Sequence, residues 1–300
     1  ILIMMTSTLA GCTGGDPDGG GNDEIDMDIL NQLIDDNLQD FINNTSITVE
    51  NHYHNNTTIT NDNTDNSVSN INGSVSTSTL KMFTVEWNKL EYILVTHTHR
   101  DHSPAAKNLQ AETGAELVGI VAPEAFGQDH TFSPSKLWSD GDEINCDEYQ
   151  LRLIHTPGHV SNHICYLLIG EGLLFTGDHI LQGTTSVILP PDGDMGAYLN
   201  SLQLLKDLPL RYLAPGHGAV MDDPAREIQH LIEHRMKRER KVLSGLEKLK
   251  NCLLDDLVLV VYDDVAEHLI PWAKKTMLAH LIKLQREGIV AESDGYWKIL

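Results

Sequence analysis

The chain has 300 residues, a formal net charge of -22 and a hydrophobic content of 41%. This length is enough for two domains. Its four cysteines lack paired spacing, so the composition does not indicate a disulfide framework. The charge is unevenly spread, because residues 1–80 carry twelve acidic residues and no Lys or Arg.

The first twelve residues form a short apolar run that ends in Leu9-Ala10-Gly11-Cys12. This pattern resembles the end of a lipoprotein signal peptide with Cys12 as the lipidated residue, although no basic leading region is visible. The run is too short for a transmembrane helix. If this N-terminus is genuine, we expect a lipid-anchored membrane protein; otherwise we expect a cytoplasmic one.

Residues 13–80 are interpreted as an acidic, low-complexity segment rich in Asn and Thr. Within it, residues 25–42 have apolar residues at helical spacing, which predicts either a solvated helix or an oligomerising stalk; we favour the former. Residues 43–79 offer little to bury, and we expect loose order or isolated strands there. Residues 13–80 are therefore predicted to be dispensable for catalysis.

A histidine-rich motif follows a short apolar run that predicts a buried strand at residues 92–95. The motif, Thr96-His97-Thr98-His99-Arg100-Asp101-His102, places three imidazoles and one carboxylate within six residues. His97 and His99 alternate, so an extended backbone points both the same way. One ion could bind these two, and a second ion could bind Asp101 and His102, because zinc and similar metals accept both donor types.

Three later turns each present one more ligand-type residue next to glycine: Gly158-His159, Gly177-Asp178 and Gly216-His217. The first two follow apolar, strand-like runs. Loops held by a rigid scaffold commonly carry functional residues in this way. The sequence therefore predicts a metal site rather than a polar loop that happens to be rich in histidine.

The remaining elements alternate between helices and strands. Helices are predicted at 105–113, 198–208, 225–250, 258–269 and 272–286, and strands at 117–121, 143–154 (a hairpin), 164–169, 173–175, 211–213, 289–291 and 296–299. Asp294-Gly295 is a strong hairpin signal between the last two strands. Two helices followed by this hairpin predict a winged-helix domain at 251–300, after a hydrolase domain at 81–250.

The ordered set of H-x-H-x-D-H, Gly-His, Gly-Asp and Gly-His turns resembles the metallo-β-lactamase superfamily. The resemblance implies an αββα sandwich whose N-terminal strands are missing or replaced, because nothing in residues 1–87 matches them. It also implies a first metal bound by His97, His99 and His159. A second metal would be bound by Asp101, His102 and His217, with Asp178 bridging the two ions.

Several other residue roles accompany this ligand set. Asp178 stands where one group of true β-lactamases has cysteine, which argues against antibiotic hydrolysis. The two ions, most plausibly zinc, would hold a bridging hydroxide, with Asp101 and Asp178 as the catalytic carboxylates. His163 and His179 are candidates for residues that support the ligands rather than for the general acid.

Together with the winged helix, the motifs resemble the β-lactamase-like protein 2 family, whose animal members are endoribonucleases selective for single strands. This resemblance implies a phosphodiesterase acting on single-stranded RNA. Basic residues on two predicted helices are candidate RNA contacts, although a solvated face is the default explanation. They are Arg235, Lys237, Arg238, Arg240, Lys241, Lys274 and Lys275.

Two alternatives remain open. The chain could hydrolyse a small ester or thioester, as hydroxyacylglutathione hydrolase does. It could also be a non-catalytic surface lipoprotein that carries a truncated hydrolase segment. An oligomer is compatible with any of these functions.

Overall fold

The computed structural model describes residues 90–121, 127–146 and 149–300, together with the backbone of three short strands nearer the N-terminus. The chain divides into two compact units, residues 9–86 and the remainder. In the smaller unit, β2 (Ile47–Asn51) and β3 (Asn55–Ile59) pair as an antiparallel hairpin. The helix predicted at 25–42 and Cys12 lie outside the described residues.

The first sheet of the larger unit has three parallel strands in the order β1 (Leu2–Met5), β4 (Tyr92–Val95) and β5 (Glu116–Val118). The predicted strand at 92–95 is thus confirmed. Ile93, Leu94 and Val95 are all buried, as expected for the central strand of a parallel sheet covered on both faces. Part of the segment interpreted as a signal remnant therefore supplies an edge strand.

The second sheet has five strands in the order β10-β9-β8-β7-β6, and only the β10–β9 pair is parallel. These strands are β6 (Glu143–Asn145), β7 (Gln150–His155), β8 (Ile164–Leu168), β9 (Leu173–Gly177) and β10 (Tyr212–Pro215). All five lie within or beside the segments predicted from the sequence. Tyr166 on β8 joins the two sheets, because its hydroxyl reaches the carbonyls of Val95 and Val118 at 2.7 and 3.0 Å.

Two helical layers enclose the paired sheets. Helix α1 (Pro104–Thr113) begins with proline in its first turn, where the missing N–H removes no helical hydrogen bond. Helices α2 (Met195–Lys206) and α3 (Pro224–Leu249) bury Tyr198, Leu202 and Ile228 against the outer face of the second sheet. The result is the αββα arrangement that the resemblance implied.

The C-terminal region forms a winged-helix fold around its own apolar core. Its elements are β11 (Cys252–Leu253), α4 (Leu254–Val261), a 3-10 turn (Glu267–Leu269), α5 (Ile270–Arg286), β12 (Val290–Ser293) and β13 (Tyr296–Ile299). The single helix predicted at 258–269 is wrong, because α4 begins earlier and ends at Val261. The hairpin turn is confirmed, since Asp294 and Gly295 both have positive φ, at 53° and 83°.

Helix α3 belongs to both cores of the larger unit. Its N-terminal half buries Ile228 and Leu231 in the core beneath the second sheet, whereas its C-terminal half buries Val242 and Leu246 in the winged-helix core. The predicted domain boundary at residue 251 is therefore not a break in the packing, because α3 contributes side chains to the cores on both sides of it. Among the described residues, no helix combines the length and apolar character needed to span a membrane.

Candidate metal centre

The central strand of the first sheet delivers the histidine-rich motif to one edge of the sandwich. Beyond Val95, the Ile164 amide donates to the Thr96 carbonyl at 2.7 Å, which anchors the motif to the second sheet. The Thr98 hydroxyl donates to Gln128 at 2.6 Å and accepts from the Asn162 side chain at 2.7 Å. These hydrogen bonds fix the backbone at Thr96 and the side chain of Thr98. The side chains of His97 and His99 face the site.

His97, His99 and His159 form one ligand group. The Nε2 atoms of His97 and His159 each lie 3.0 Å from Nδ1 of His99. Burial lowers the pKa of His97 well below its ordinary value and that of His99 to about 4, so both rings are neutral near pH 7. Neutral imidazoles with converging nitrogens are the form in which histidine binds metals.

Asp101, His102 and His217 form a second group. Asp101 Oδ2 lies 3.5 Å from His102 Nε2 and 3.4 Å from His217 Nε2. Burial opposes protonation of His102, but the Asp101 and Asp178 carboxylates outweigh it and raise its pKa to about 9. The two carboxylates therefore favour a positive charge beside them, at His102.

Asp178 faces both groups from the turn that ends β9. Its Oδ1 lies 3.3 Å from His102 Nε2 and 3.5 Å from His217 Nε2, whereas its Oδ2 lies 3.8 Å from His159 Nε2. One carboxylate thus presents one oxygen to each ligand group. The residues for which the resemblance implied a bridged two-metal site lie together in this way.

Buried atoms without partners test whether these residues fit divalent metals. Within the described part of the chain, His102 Nε2 and Asp178 Oδ1 are buried and make no hydrogen bond, although they lie beside each other. Leaving such groups unsatisfied is costly. A mixed set of imidazole and carboxylate donors suits zinc, iron or manganese. The donor set therefore fits a divalent metal centre.

His163 and His179 are fully buried beside this centre and are not members of its ligand groups. The His163 ring lies 5.2 Å from that of His97, and its Nδ1 lies 2.8 Å from the Thr156 hydroxyl. The His179 ring packs on Tyr198 at 4.7 Å. His163 thus packs beside the ring of His97, whereas the His179 ring packs against Tyr198 and, at 5.8 Å, His163; a supporting role for either histidine stays a prediction.

The candidate RNA contacts have different environments. Arg235 is only 2% exposed and donates to the Ser186 carbonyl, so its burial removes it from the set of surface contacts. Three others are held by carboxylates of the winged-helix domain: Arg238 by Asp264, Lys241 by Asp263 and Lys274 by Asp255. Lys237, Arg240 and Lys275 are exposed and make no ion pair with any described residue.

The sequence patterns do not predict two of the buried contacts in this structure. The Val187 carbonyl accepts a hydrogen bond from His159 Nδ1 at 2.6 Å, and no sequence pattern reveals a backbone carbonyl of this kind. The sequence predicts Arg235 as a contact for RNA, and this prediction is wrong because the side chain is buried. A signal existed, because Arg235 lies four residues after Leu231 on the apolar stripe of α3.

The fold and the site together define a hydrolase of the metallo-β-lactamase superfamily. Residues 74–217 match the family described as Metallo-beta-lactamase superfamily, and residues 254–297 match the Beta-lactamase associated winged helix domain. A metallo-beta-lactamase family protein from Thermus thermophilus has the same fold with a TM-score of 0.59 and 22% identity, covering 71% of this chain and 81% of that chain.

The chain belongs to the β-lactamase-like protein 2 family. The Drosophila melanogaster Beta-lactamase-like protein 2 homolog is 33% identical over 208 residues, covering 66% of this chain and 70% of the relative. For the Caenorhabditis elegans homolog the identity is 34%, and the coverage is 65% of this chain and 63% of the relative. An Aspergillus fumigatus Atrochrysone carboxyl ACP thioesterase is 32% identical over 163 residues, covering 54% of this chain and 49% of the thioesterase.

Proposed function

We propose that this chain uses two zinc ions to hydrolyse phosphodiester bonds in single-stranded RNA. The observation that carries the proposal is the position of Asp178, whose two oxygens face two separate ligand groups. Two adjacent divalent ions acidify water at neutral pH and offset negative charge that develops on a phosphodiester.

In this proposal, the protein's residues hold and orient the ions. His97, His99 and His159 would hold the first ion, and Asp101, His102 and His217 would hold the second. The Asp178 carboxylate, which faces both groups, would accept a hydrogen bond from the attacking water and orient it. The buried histidines behind the site keep the ligand rings in place by packing.

Support for an RNA substrate comes from the winged-helix domain and from exposed cations on α3 and α5. The Lys275 ammonium lies 5.0 Å from the ring centroid of Trp272, which is 50% exposed on α5. An exposed aromatic ring beside a cation can stack on a base and contact its phosphate. Lys237 and Arg240 add exposed positive charge on α3.

A paired assay tests the proposal. Labelled single-stranded RNA and a glutathione thioester are incubated with the full chain, with and without a chelator. We expect metal-dependent cleavage of the RNA, loss of that cleavage in Asp178→Ala, and retention in Asp222→Ala, which changes an exposed carboxylate. Binding of RNA should also weaken steeply as salt increases. Thioester turnover without RNA cleavage would reject the nuclease.

A thioesterase is the second candidate, favoured by the similarity to the fungal acyl carrier protein thioesterase. In that case, a water molecule would attack the thioester carbonyl in place of a phosphodiester, the C–S bond would break with release of the thiol, and the same residues would hold the ions that activate the water. Under this alternative, reversal of charge at Lys237 and Arg240 should leave turnover of a small thioester unchanged. Lipid attachment at Cys12 remains a separate prediction, which mass spectrometry of the membrane fraction can test.

A further inference from the structure

Arg235 is a buried cation on α3. Its Nη2 donates to the Ser186 carbonyl, and its guanidinium carbon lies 5.2 Å from the ring centroid of Tyr198. No carboxylate in the described part of the chain forms an ion pair with it. Burying a charge without a counter-ion lowers the stability of the folded state. Arginine at this position is therefore best explained by a role that an apolar side chain on α3 could not fill.

The carbonyl that Arg235 binds belongs to residues 178–188, here termed the strap. The strap starts at the bridging Asp178. Midway along it, the Gln182 side-chain oxygen accepts from the Ala219 amide at 2.8 Å, two residues beyond His217. Near its end, the Val187 carbonyl accepts from His159 Nδ1 at 2.6 Å. The strap thus contacts the turns that present both ligand groups.

The contact with Val187 decides which nitrogen of His159 carries the proton. A carbonyl oxygen can only accept, so Nδ1 must be the protonated nitrogen of the neutral ring. Nε2 then keeps its lone pair and points it at His99 Nδ1, 3.0 Å away. A partner that fixes the tautomer and ring orientation in this way is an important part of a metal site.

We propose that Arg235 is a positioning residue for the metal centre: by holding the Ser186 carbonyl, it fixes the neighbouring Val187 carbonyl and so the tautomer and orientation of His159. Ser186 is itself buried, so water cannot readily take over the guanidinium's role. The inference rests on the proposed metal sites but not on the identity of the substrate.

The test measures the affinity of the full chain for Zn²⁺ by competition with a chromogenic chelator. Arg235→Met removes the donors and keeps a long side chain, whereas Arg235→Lys keeps a cation with a single donor group. Lys248→Met is the matched control, since Lys248 is exposed on the same helix. We expect about 10-fold or greater loss of affinity in Arg235→Met, a smaller loss in Arg235→Lys and none in the control.

A second measurement separates positioning from general destabilisation. In metal-free protein, the ¹⁵N shifts of the His159 ring should show protonation at Nδ1 in the wild type and a mixture of tautomers in Arg235→Met. If that variant does not fold, Arg235→Lys carries both measurements. An unchanged tautomer, or affinity within about 2-fold of wild type in folded Arg235→Met, overturns the inference. A wild-type chain that binds no Zn²⁺ would instead reject the proposed function, and the ring shifts alone would then decide the role of Arg235.

Discussion

At the scale of single residues, Gly216 determines how closely the His217 turn approaches Asp178. A Cβ atom at Gly216 would lie 2.7 Å from Asp178 Oδ1 and 3.0 Å from His102 Cε1. Neither neighbour can withdraw without moving a ligand atom. The glycine of the Gly-His turn is therefore required by close packing against the metal centre.

Substitution of Gly216 by alanine should consequently weaken metal binding. We expect about 10-fold lower Zn²⁺ affinity, because the added methyl group displaces Asp178, with metal content after dialysis as the measurement. Gly170→Ala is the control, since Gly170 has open space around its Cβ position. Equal metal content in the two variants would show that the turn can shift without cost.

Asp178 and His163 offer a second comparison at this scale. Asp178→Ala should lose more metal than His163→Ala, because only Asp178 faces both ligand groups, whereas His163 is not a member of either. Metal analysis of both variants, purified without chelator, provides the measurement. Comparable losses would indicate that His163 contributes as much as a ligand does.

The ligand residues could be predicted from the sequence because each lies either in the H-x-H-x-D-H motif or directly after a glycine in a turn. Their order matches a known family, and the motifs therefore carry most of the information. Arg235 could not be assigned in the same way. Its charge predicts an exposed side chain. Its position on the buried stripe of α3, between Leu231 and Glu239, is what indicates burial.

At the scale of elements, α3 separates its cations into three environments. Arg235 is buried, Arg238 pairs with Asp264 at 2.9 Å and also lies over the ring of Tyr262, and Arg240 is exposed. Reversal of charge at Arg238 would therefore damage the contact with the winged-helix domain. Only substitutions of the exposed cations can therefore test RNA binding without also disturbing this contact.

The double variant Lys237→Glu and Arg240→Glu tests the helix as an RNA contact. We expect weaker RNA binding, a shallower dependence of binding on salt and unchanged metal content, because phosphate contacts release counterions. The control is Lys206→Glu with Arg211→Glu, two exposed cations near the start of β10, the end of that strand remote from His217. Equal binding by both double variants at moderate salt would show that α3 is only a solvated face.

The element types were largely predictable because apolar periodicity differs between helices and strands. The exception, α4, shows why element ends are harder to predict. Residues 254–261 are mostly apolar around two acidic residues, and the helix stops at Val261 where Tyr262 turns away. The apolar residues after Tyr262 continue the helical spacing in the sequence, although the helix itself has already ended.

At the scale of the whole molecule, Glu239 joins the two cores through α5. Glu239 is 5% exposed, and its oxygens lie 3.3 Å from His280 Nδ1 and 3.0 Å from Lys283 Nζ. Burial favours the protonated carboxyl, but hydrogen bonds from His280 and Lys283 outweigh it and lower the pKa of Glu239. The carboxylate is therefore charged and paired within the protein.

Glu239→Ala should lower the free energy of unfolding by about 2 kcal/mol, because it leaves the buried His280 without its acceptor and Lys283 with only the Glu287 carboxylate. Denaturant titration of the metal-free protein is the measurement, and Glu247→Ala, an exposed change on the same helix, is the control. A loss no greater than that of the control would show that the pair contributes little.

The same contacts predict a direction for pH dependence. Burial is the main cause of the lowered pKa of His280, so the unfolded chain takes up its proton at higher pH than the folded chain does. The lowered pKa of Glu239 acts in the same direction at more acidic pH. The stability contributed by His280 is thus present above about pH 6.5 and lost as pH falls below it, whereas that contributed by Glu239 is lost only below about pH 4.5. A stability that rises on acidification from pH 7 to 5 would contradict this direction.

If the proposed two-metal site forms, the position of Asp178 between the two ligand groups has a thermodynamic consequence for how the protein acquires its ions. If one ion changes the affinity for the other by any factor, the second must change the affinity for the first by the same factor. An ion at either group would orient Asp178 for its neighbour, while the two positive charges repel each other. The balance of these effects determines whether half-loaded protein accumulates during metal uptake or whether the ions enter as a pair.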